Sequence, residues 1–331
     1  MPRELDEDDV RVRPPRSTRP RTKSRPGHLE ASSGQVVTVD RGRYRVRVDG
    51  TVVTAVRARE LGRRAVVVGD NVSVVGDLGG GPDALARVVR VQERTSLLRR
   101  SPDDTDPLER AVVANADLLV IVMSLADPEP RPRLVDRCLV AAHDGGLLPL
   151  LCLTKSDLGA PDVMRDLYEP LGVETLVTSR TEGVDSLHDR LVGHTSVLFG
   201  QSGVGKSTLV NGLVPDAGRA VGEVTGVGKG RHTTSAALAL PLPGGGTVID
   251  TPGVRSFGLG HVAAERIVAA FPDLAHGAEE CEVGCDHLGT SCRLDTWVVE
   301  EAAGSAPRLA SLQSRLASLR FLLSSRDGET E

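Results

Sequence analysis

The sequence predicts a multidomain chain of three folded parts. They are a small closed β-barrel of the OB type, a central α/β domain on a mostly parallel sheet, and a C-terminal, mostly α region built around a metal site. Three observations carry this reading. Five short alternating strands lie between Gln35 and Val91. Apolar strand runs then alternate with helical stretches, and glycine-rich or acidic motifs sit where the strands end. Three cysteines and a histidine crowd into residues 281 to 292.

Composition bounds the possibilities. A chain of 331 residues has room for two or three domains with cores. Its formal net charge of −5 excludes a simple polycation. The longest apolar run, Ala116 to Ala126, is too short to span a bilayer and contains Asp117 and Ser124, so no membrane partner is expected. The first residues carry Glu4, Asp6, Glu7, Asp8 and Asp9 and lack an apolar signal core, which predicts a cytoplasmic protein. Five cysteines, an odd count, fit metal binding in a reducing compartment better than a disulfide framework.

Residues 1–33 are expected to form a disordered basic arm. Seven basic residues and no acid lie between Arg11 and Arg25, among Pro14, Pro15, Pro20 and Pro26. Such an arm either solubilises the chain passively or lies down on a polyanion. Residues 34–100 are expected to form the OB-type barrel, with strands at Gln35–Val39, Tyr44–Val48, Thr51–Val56, Asn71–Val75 and Ala86–Val91. Asp49-Gly50 is a hairpin signal between the second and third. Arg41, Arg43, Arg45 and Arg47 alternate with Tyr44, Val46 and Val48, which puts a row of guanidiniums on one face. One sign repeated along a barrel strand points to nucleic-acid phosphate. With Tyr44 the only aromatic there, backbone and shape recognition of folded RNA is favoured over base stacking.

Residues 101–259 are expected to form the α/β domain. Strands are predicted at Ala116–Met123, Leu147–Leu153 and Glu174–Thr178, with a helix at Arg133–His143. Thr195–Phe199 is a further strand, and Gly200-Gln201-Ser202-Gly203-Val204-Gly205-Lys206-Ser207-Thr208 follows it directly. That segment has the spacing of a phosphate-binding loop. Its glycines let backbone N–H groups converge, and the next helix N-terminus adds positive potential. Lys206 is one of only four lysines in an arginine-rich chain, which argues against a chance match. Lys206 would reach the β- and γ-phosphates, and Ser207 would offer its hydroxyl to magnesium.

Gly244-Gly245-Gly246 marks a turn, and Thr247-Val248-Ile249 leads into Asp250-Thr251-Pro252-Gly253. This DTPG resembles the Walker B and switch II element of GTPases, in which Asp250 would hold magnesium through water and the Gly253 N–H would sense the γ-phosphate. Thr154-Lys155-Ser156-Asp157 resembles the guanine-reading NKxD motif. Asp157 can accept from the N1 and N2 donors of guanine, which adenine does not supply, and Lys155 would pack along the base. Thr154 stands where asparagine is usual, which predicts the loss of an amide brace to the P-loop. Ser179, after the next strand, resembles the loop whose backbone contacts the guanine oxygen. Ordinary GTPases run P-loop, switch I, DxxG, NKxD, serine loop. Here TKSD and Ser179 precede the P-loop, so the chain looks like a circularly permuted P-loop GTPase. Gly226 to Thr234 falls at the place of switch I, where Thr233 or Thr234 would give magnesium a second ligand.

Residues 260–331 are expected to be a zinc-binding, helical domain. Cys281, Cys285, His287 and Cys292 can close a tetrahedral zinc site with no open position, which makes one structural ion the expected content. Ser305-Ala306-Pro307 starts a helix with leucines at 309, 312, 316, 319 and 323, an amphipathic stripe read first as core packing.

A basic barrel, a permuted GTPase and a Cys-Cys-His-Cys domain in that order resemble the RsgA (YjeQ) family of small-subunit-dependent GTPases. GQSGVGKST at 200–208, GRHTT at 230–234 and DTPGVRSF at 250–257 are close matches, and the likeness covers about residues 34 to 320. The zinc spacing departs, since the family commonly has one more residue in both the Cys281–Cys285 and His287–Cys292 intervals. The resemblance implies a monomer that binds GTP and GDP with magnesium and contacts the small (30S) ribosomal subunit and its 16S rRNA. It also implies slow hydrolysis of GTP until the subunit stimulates it, and help in releasing another maturation factor. Val254 after Gly253 cannot orient water where many GTPases use glutamine. His232, on the expected switch I, is the candidate to orient the nucleophile, with Arg231 as a second candidate in charge stabilisation. An RNA-binding assembly scaffold with a merely structural nucleotide is the rival reading.

Overall fold

The computed structural model describes residues 30–61, 65–81, 84–106, 108–215, 217, 236–252, 257–289 and 292–326. The basic arm up to residue 29 and the expected switch I segment with Arg231, His232, Thr233 and Thr234 lie outside the described residues, as do Gly253 and Val254.

Five strands make the barrel: β1 (Ser32–Asp40), β2 (Arg43–Val48), β3 (Thr51–Arg57), β4 (Asn71–Gly76) and β5 (Ala86–Val91). They pair in the order β1-β2-β3-β5-β4, and β4 returns to β1, so the sheet closes. Alternation drives the closure. Val36, Val46, Val53, Ala55, Val72, Val74 and Val88 are buried in the barrel core, and along β2 and β3 buried residues alternate with half-buried or exposed ones. Two tight hairpins set the register of β1, β2 and β3. Asp49 and Gly50 both have positive φ, as the Asp-Gly signal predicts, and Arg41-Gly42 adopts the same signs.

Between barrel and α/β domain runs a separate ribbon, β6 (Leu97–Arg100) paired with β7 (Arg110–Ala114). β6 falls within the span expected for the barrel, yet its only partner among the described strands is β7. The α/β sheet comprises β8 (Leu118–Ser124), β9 (Leu148–Thr154), β10 (Glu174–Val177), β11 (Thr195–Phe199), β12 (Leu238–Pro241) and β13 (Thr247–Asp250). Their order is β10-β9-β8-β11-β13-β12, parallel except for the edge strand β12. All seven residues of β8 are buried, as a central parallel strand covered on both faces requires. Helices α1 (Pro132–Gly145), α2 (Asp162–Tyr168), α3 (Val184–Leu191) and α4 (Lys206–Leu213) provide the cover. α1 begins with Pro132, whose missing N–H costs nothing in the first turn, and stops at Gly146 in the left-handed region.

β12 is the junction between domains. Its inner edge pairs with β13 and its outer edge meets barrel strand β1 at Thr38 and Leu238. The Thr38 hydroxyl donates to the Ala237 carbonyl at 3.0 Å. The barrel thus covers what would otherwise be an open sheet edge.

The C-terminal part holds α5 (Ala264–Ala269), α6 (Pro272–Ala278), α7 (Leu294–Glu301) and the long α8 (Ala306–Arg326). The leucine stripe packs inward: Leu312, Leu316, Leu319 and Leu323 are buried in the core they share with the α/β sheet, and Leu309 packs against it. Burying each contributes roughly 1.5–3 kcal/mol. Arg315 lies on the same buried face. It pairs with Asp136 of α1 at 2.5 Å and Asp273 of α6 at 3.3 Å, and its guanidinium stacks on Phe271. No helix among the described residues is long and apolar enough to cross a membrane.

Candidate nucleotide and metal sites

Parallel pairing brings the carboxyl ends of five strands to one edge. Ser124 of β8 sits beside Thr154 of β9, Leu153 beside Val177 of β10, Ile121 beside Phe199 of β11, and Leu198 beside Asp250 of β13. Every described motif of the sequence follows one of these ends. Residues far apart in the chain, Thr154 to Asp157, Ser179, Gly200 to Thr208 and Asp250, are therefore gathered around one crevice, the usual ligand position in an open α/β sheet.

The phosphate-type loop has the conformation its glycines predict. Gly203 and Gly205 have φ of +85° and +98°, which residues with a Cβ rarely adopt. Val204 is fully buried and anchors the loop, while Ser202, Gly203, Ser207 and Thr208 are exposed. Lys206 opens α4 and is mostly buried. Its ammonium donates to the carbonyls of Gly200 at 2.7 Å and Gln201 at 3.0 Å. Burial pulls its pKa down, and the Asp250 carboxylate opposes that shift. Charge at this point is therefore costly to hold alone and is relieved by an anionic ligand.

TKSD shows one departure from expectation. Thr154 does not abandon the P-loop: its hydroxyl donates to the Val204 carbonyl at 2.6 Å. The lost amide brace is replaced by a hydroxyl brace, because the buried Thr154 lies within hydrogen-bond reach of the loop. Lys155 takes a positive φ and its ammonium donates to the Asp127 carbonyl. The Ser156 N–H donates to Thr178 at 3.2 Å, tying TKSD to the end of β10. Asp157 is exposed. Ser179 shapes its own turn, its hydroxyl oxygen accepting from the Thr181 and Glu182 N–H groups at 3.2 and 3.0 Å.

Asp250 is buried at the end of β13, and the Thr251 hydroxyl donates to the Leu198 carbonyl at 2.7 Å. Ser207 and Asp250 carry a hydroxyl and a carboxylate, donor types of the kind that hard divalent cations take. Three features escaped the sequence reading. They are the Thr251 tie, the Asp127–Pro128 turn against Lys155 and Gly203, and the T-shaped contact of Phe199 with Phe257 at 4.8 Å. Only the position of Phe257 just after DTPG could have hinted at the last.

At the other end, the ligand atoms of Cys281, Cys285, His287 and Cys292 all lie within 4.8 Å of one another. The Cys281–Cys292 sulfur separation and the distance from Cys292 sulfur to His287 Nδ1 are both 3.7 Å. Tetrahedral bonds of about 2.3 Å to sulfur give edges of about 3.8 Å, so the shortened ligand spacing still closes. The four residues can hold a metal ion. The His287 N–H donates to Cys285 sulfur at 3.4 Å, and Arg320 of α8 donates to the His287 carbonyl at 3.0 Å. Arg320 is itself held by Asp295, whose carboxyl this partner keeps below the usual range.

Comparison with known proteins agrees with this architecture. The family model described as RsgA GTPase matches residues 91–260. A protein of Ectopseudomonas mendocina (strain ymp), named small ribosomal subunit biogenesis GTPase RsgA, is 41% identical over 266 residues, covering 77% of this chain and 75% of its own. A Pseudomonas aeruginosa (strain LESB58) protein of the same name is 39% identical over 243 residues, 70% of each chain. The crystal structure of YjeQ from Thermotoga maritima superposes with a TM-score of 0.62 at 25% identity, over 87% of this chain and 98% of its own. That of YloQ, described as a circularly permuted GTPase, shares the fold with a TM-score of 0.62 at 22% identity, over 93% of this chain and all of its own. The chain belongs to the RsgA GTPase family.

Proposed function

We propose that this protein hydrolyses GTP during late maturation of the small ribosomal subunit. In this reading residues 34–100 bind 16S rRNA, residues 101–259 bind and hydrolyse GTP, and residues 260–331 form a zinc-stabilised contact to the same subunit. The observation that carries it is the hydrogen-bonded union of two motifs fifty residues apart. Thr154 joins the loop bearing Asp157 to the loop bearing Lys206. A base-reading element and a phosphate-reading element held to each other form a nucleotide site rather than two unrelated turns.

Roles follow from chemistry. The ammonium of Lys206 binds the β- and γ-phosphates, exchanging the carbonyls it now contacts for charged oxygens. Asp157 accepts from guanine, Lys155 lies along the base, and the Ser179 turn borders the guanine oxygen. Ser207 and Asp250, with Thr233 or Thr234, hold magnesium, which when bound supplies charge neutralisation at the phosphates. The Gly253 N–H senses the γ-phosphate, and His232 orients the attacking water. Cys281, Cys285, His287 and Cys292 hold one structural zinc ion, and soft thiolates favour it over magnesium or calcium.

The barrel supports an RNA partner. Arg43, Arg45 and Arg47 project from the outer face of β2 while Tyr44, Val46 and Val48 are buried, and among the described residues none of these arginines is in a salt bridge. Burial lowers the pKa of Arg47, a cost that a phosphate offsets. Turnover coupled to release of another assembly factor is the further step this reading assigns. The test is GTP hydrolysis titrated separately with purified small and large subunits. A rise of at least tenfold with small subunits alone supports the proposal. Turnover unchanged by either subunit leaves an RNA-binding scaffold.

A further inference from the structure

We propose that Asp104 and Arg137 act as a positioning pair for hydrolysis, a clasp that fixes the exit of the DTPG segment to the linker leaving the barrel. The inference rests on the reading of that segment as responsive to the γ-phosphate. Its two ends are anchored on consecutive residues of β11. Thr251 is tied to the Leu198 carbonyl at 2.7 Å, and the Phe257 ring packs edge-on against Phe199 at 4.8 Å. Thr251 and Phe257 are therefore both anchored at the base of the P-loop.

The exit is then held from outside the site. Leu259 N–H donates to Asp104 Oδ1 at 2.9 Å, and Arg137 Nη1 donates to the Phe257 carbonyl at 3.2 Å. Arg137 and Asp104 are joined by two parallel contacts of 2.5 Å, with both side chains largely shielded. Ser101 adds its N–H to the Gly258 carbonyl at 2.9 Å and accepts from the His261 N–H at 3.1 Å. The approach is so close that a Cβ on Gly258 would lie 2.2 Å from the Asp103 carbonyl oxygen.

Ser101 and Asp104 belong to the linker after β6, which brings the chain from the barrel into the α/β domain. A displacement of the barrel on RNA therefore reaches residue 257 through Asp104. A bidentate guanidinium–carboxylate pair shielded from water resists such displacement better than a single exposed contact. Misplacing reacting groups by about 1 Å costs on the order of a hundredfold in rate, so a clasp that never touches nucleotide can still govern turnover.

The test uses the full chain with Asp104→Ala, Asp104→Asn, Arg137→Ala and the Asp104→Ala/Arg137→Ala double variant. GDP affinity, small-subunit affinity and turnover with and without saturating small subunits are measured. The expected result is about a tenfold loss of subunit-stimulated kcat in Asp104→Ala, with KM for GTP and affinity for GDP within about twofold of wild type. The double variant should be no slower than the worse single one, as expected of residues that act as a unit. Asp104→Asn, which keeps an acceptor for Leu259, should fall between and serves if the alanine variant does not fold. The proposal is overturned by stimulated kcat within twofold of wild type, by additive losses, or by an equal fall in GDP affinity that marks a purely structural role. Absence of stimulation in the wild type instead overturns the subunit-dependent reading itself.

Discussion

The Thr154 hydroxyl donates to the Val204 carbonyl at 2.6 Å, so the loop that would read guanine and the loop that would hold phosphate are one hydrogen-bonded unit. An asparagine-type brace has been replaced by a shorter side chain. The unit makes a direct prediction. Thr154→Val keeps the shape and removes the donor, leaving a buried carbonyl without this partner. GTP and GDP affinity should both weaken by roughly fivefold, the effect of about 1 kcal/mol. Fluorescent-nucleotide titration checks it, and a loss confined to GTP would place the effect elsewhere.

Base choice is assigned to the exposed carboxylate of Asp157. Asp157→Asn replaces an acceptor with a group that also donates, which suits the carbonyl of xanthine better than the amine of guanine. Two charge-assisted hydrogen bonds are worth about 3 kcal/mol or more, so GTP affinity should drop at least about a hundredfold while xanthosine triphosphate gains. Competition between the two nucleotides for the variant is the measurement. An unchanged preference would show that Asp157 does not contact the base.

Removing metal should separate the two ends of the molecule. The Cys281, Cys285, His287 and Cys292 cluster shares no residue with the nucleotide crevice. A strong chelator should release one equivalent of zinc and lower the melting temperature, since structural zinc contributes folding free energy directly. GDP affinity should stay within about twofold because no nucleotide contact is removed. Metal analysis alongside calorimetry reads both effects, and release of no zinc would refute the site.

The buried Arg315–Asp136 pair yields a pH-dependent prediction. Burial pushes the Asp136 carboxyl upward, and Arg315 opposes the shift. Arg315→Ala removes the opposition, so the variant should lose about 3–5 kcal/mol at neutral pH. The sign follows from linkage. A carboxyl whose folded pKa lies above its unfolded value binds its proton more tightly in the native state, so stability falls as pH rises between the two values. The deficit of the variant should therefore be smaller at pH 5 than at pH 8. Urea unfolding at both values decides it, and a deficit independent of pH would mean that Asp136 is not the group left unpaired.

Much of this molecule was legible before its structure. Alternating valines placed all five barrel strands, and Asp49-Gly50 placed one of the turns. The leucines of α8 announced a buried stripe. Local periodicity is enough for such features because burial of one face dictates it. What escaped depends on contacts between distant segments. β12 is four residues ending in proline, too short to show a period, and it is fixed by neighbours on both edges. Arg315 reads as a solvated charge until Asp136, 179 positions away, is seen beside it. Phe257 gives no sign of Phe199, and the compensation at Thr154 needed the position of Val204. His232, Thr233, Thr234 and Gly253 remain expectations of motif alone, outside the described residues.

The central claim is that the state of the γ-phosphate and the grip on the small subunit are coupled through the ends of β11 and the clasp beyond Phe257. Coupling of this kind is reciprocal, so it can be read as a binding difference. The direct measurement is the dissociation constant of the full chain for purified small subunits, with GDP and with a non-hydrolysable GTP analogue. The account predicts binding at least about tenfold tighter with the analogue, a coupling of about 1.4 kcal/mol. Equal affinity in the two states would contradict it.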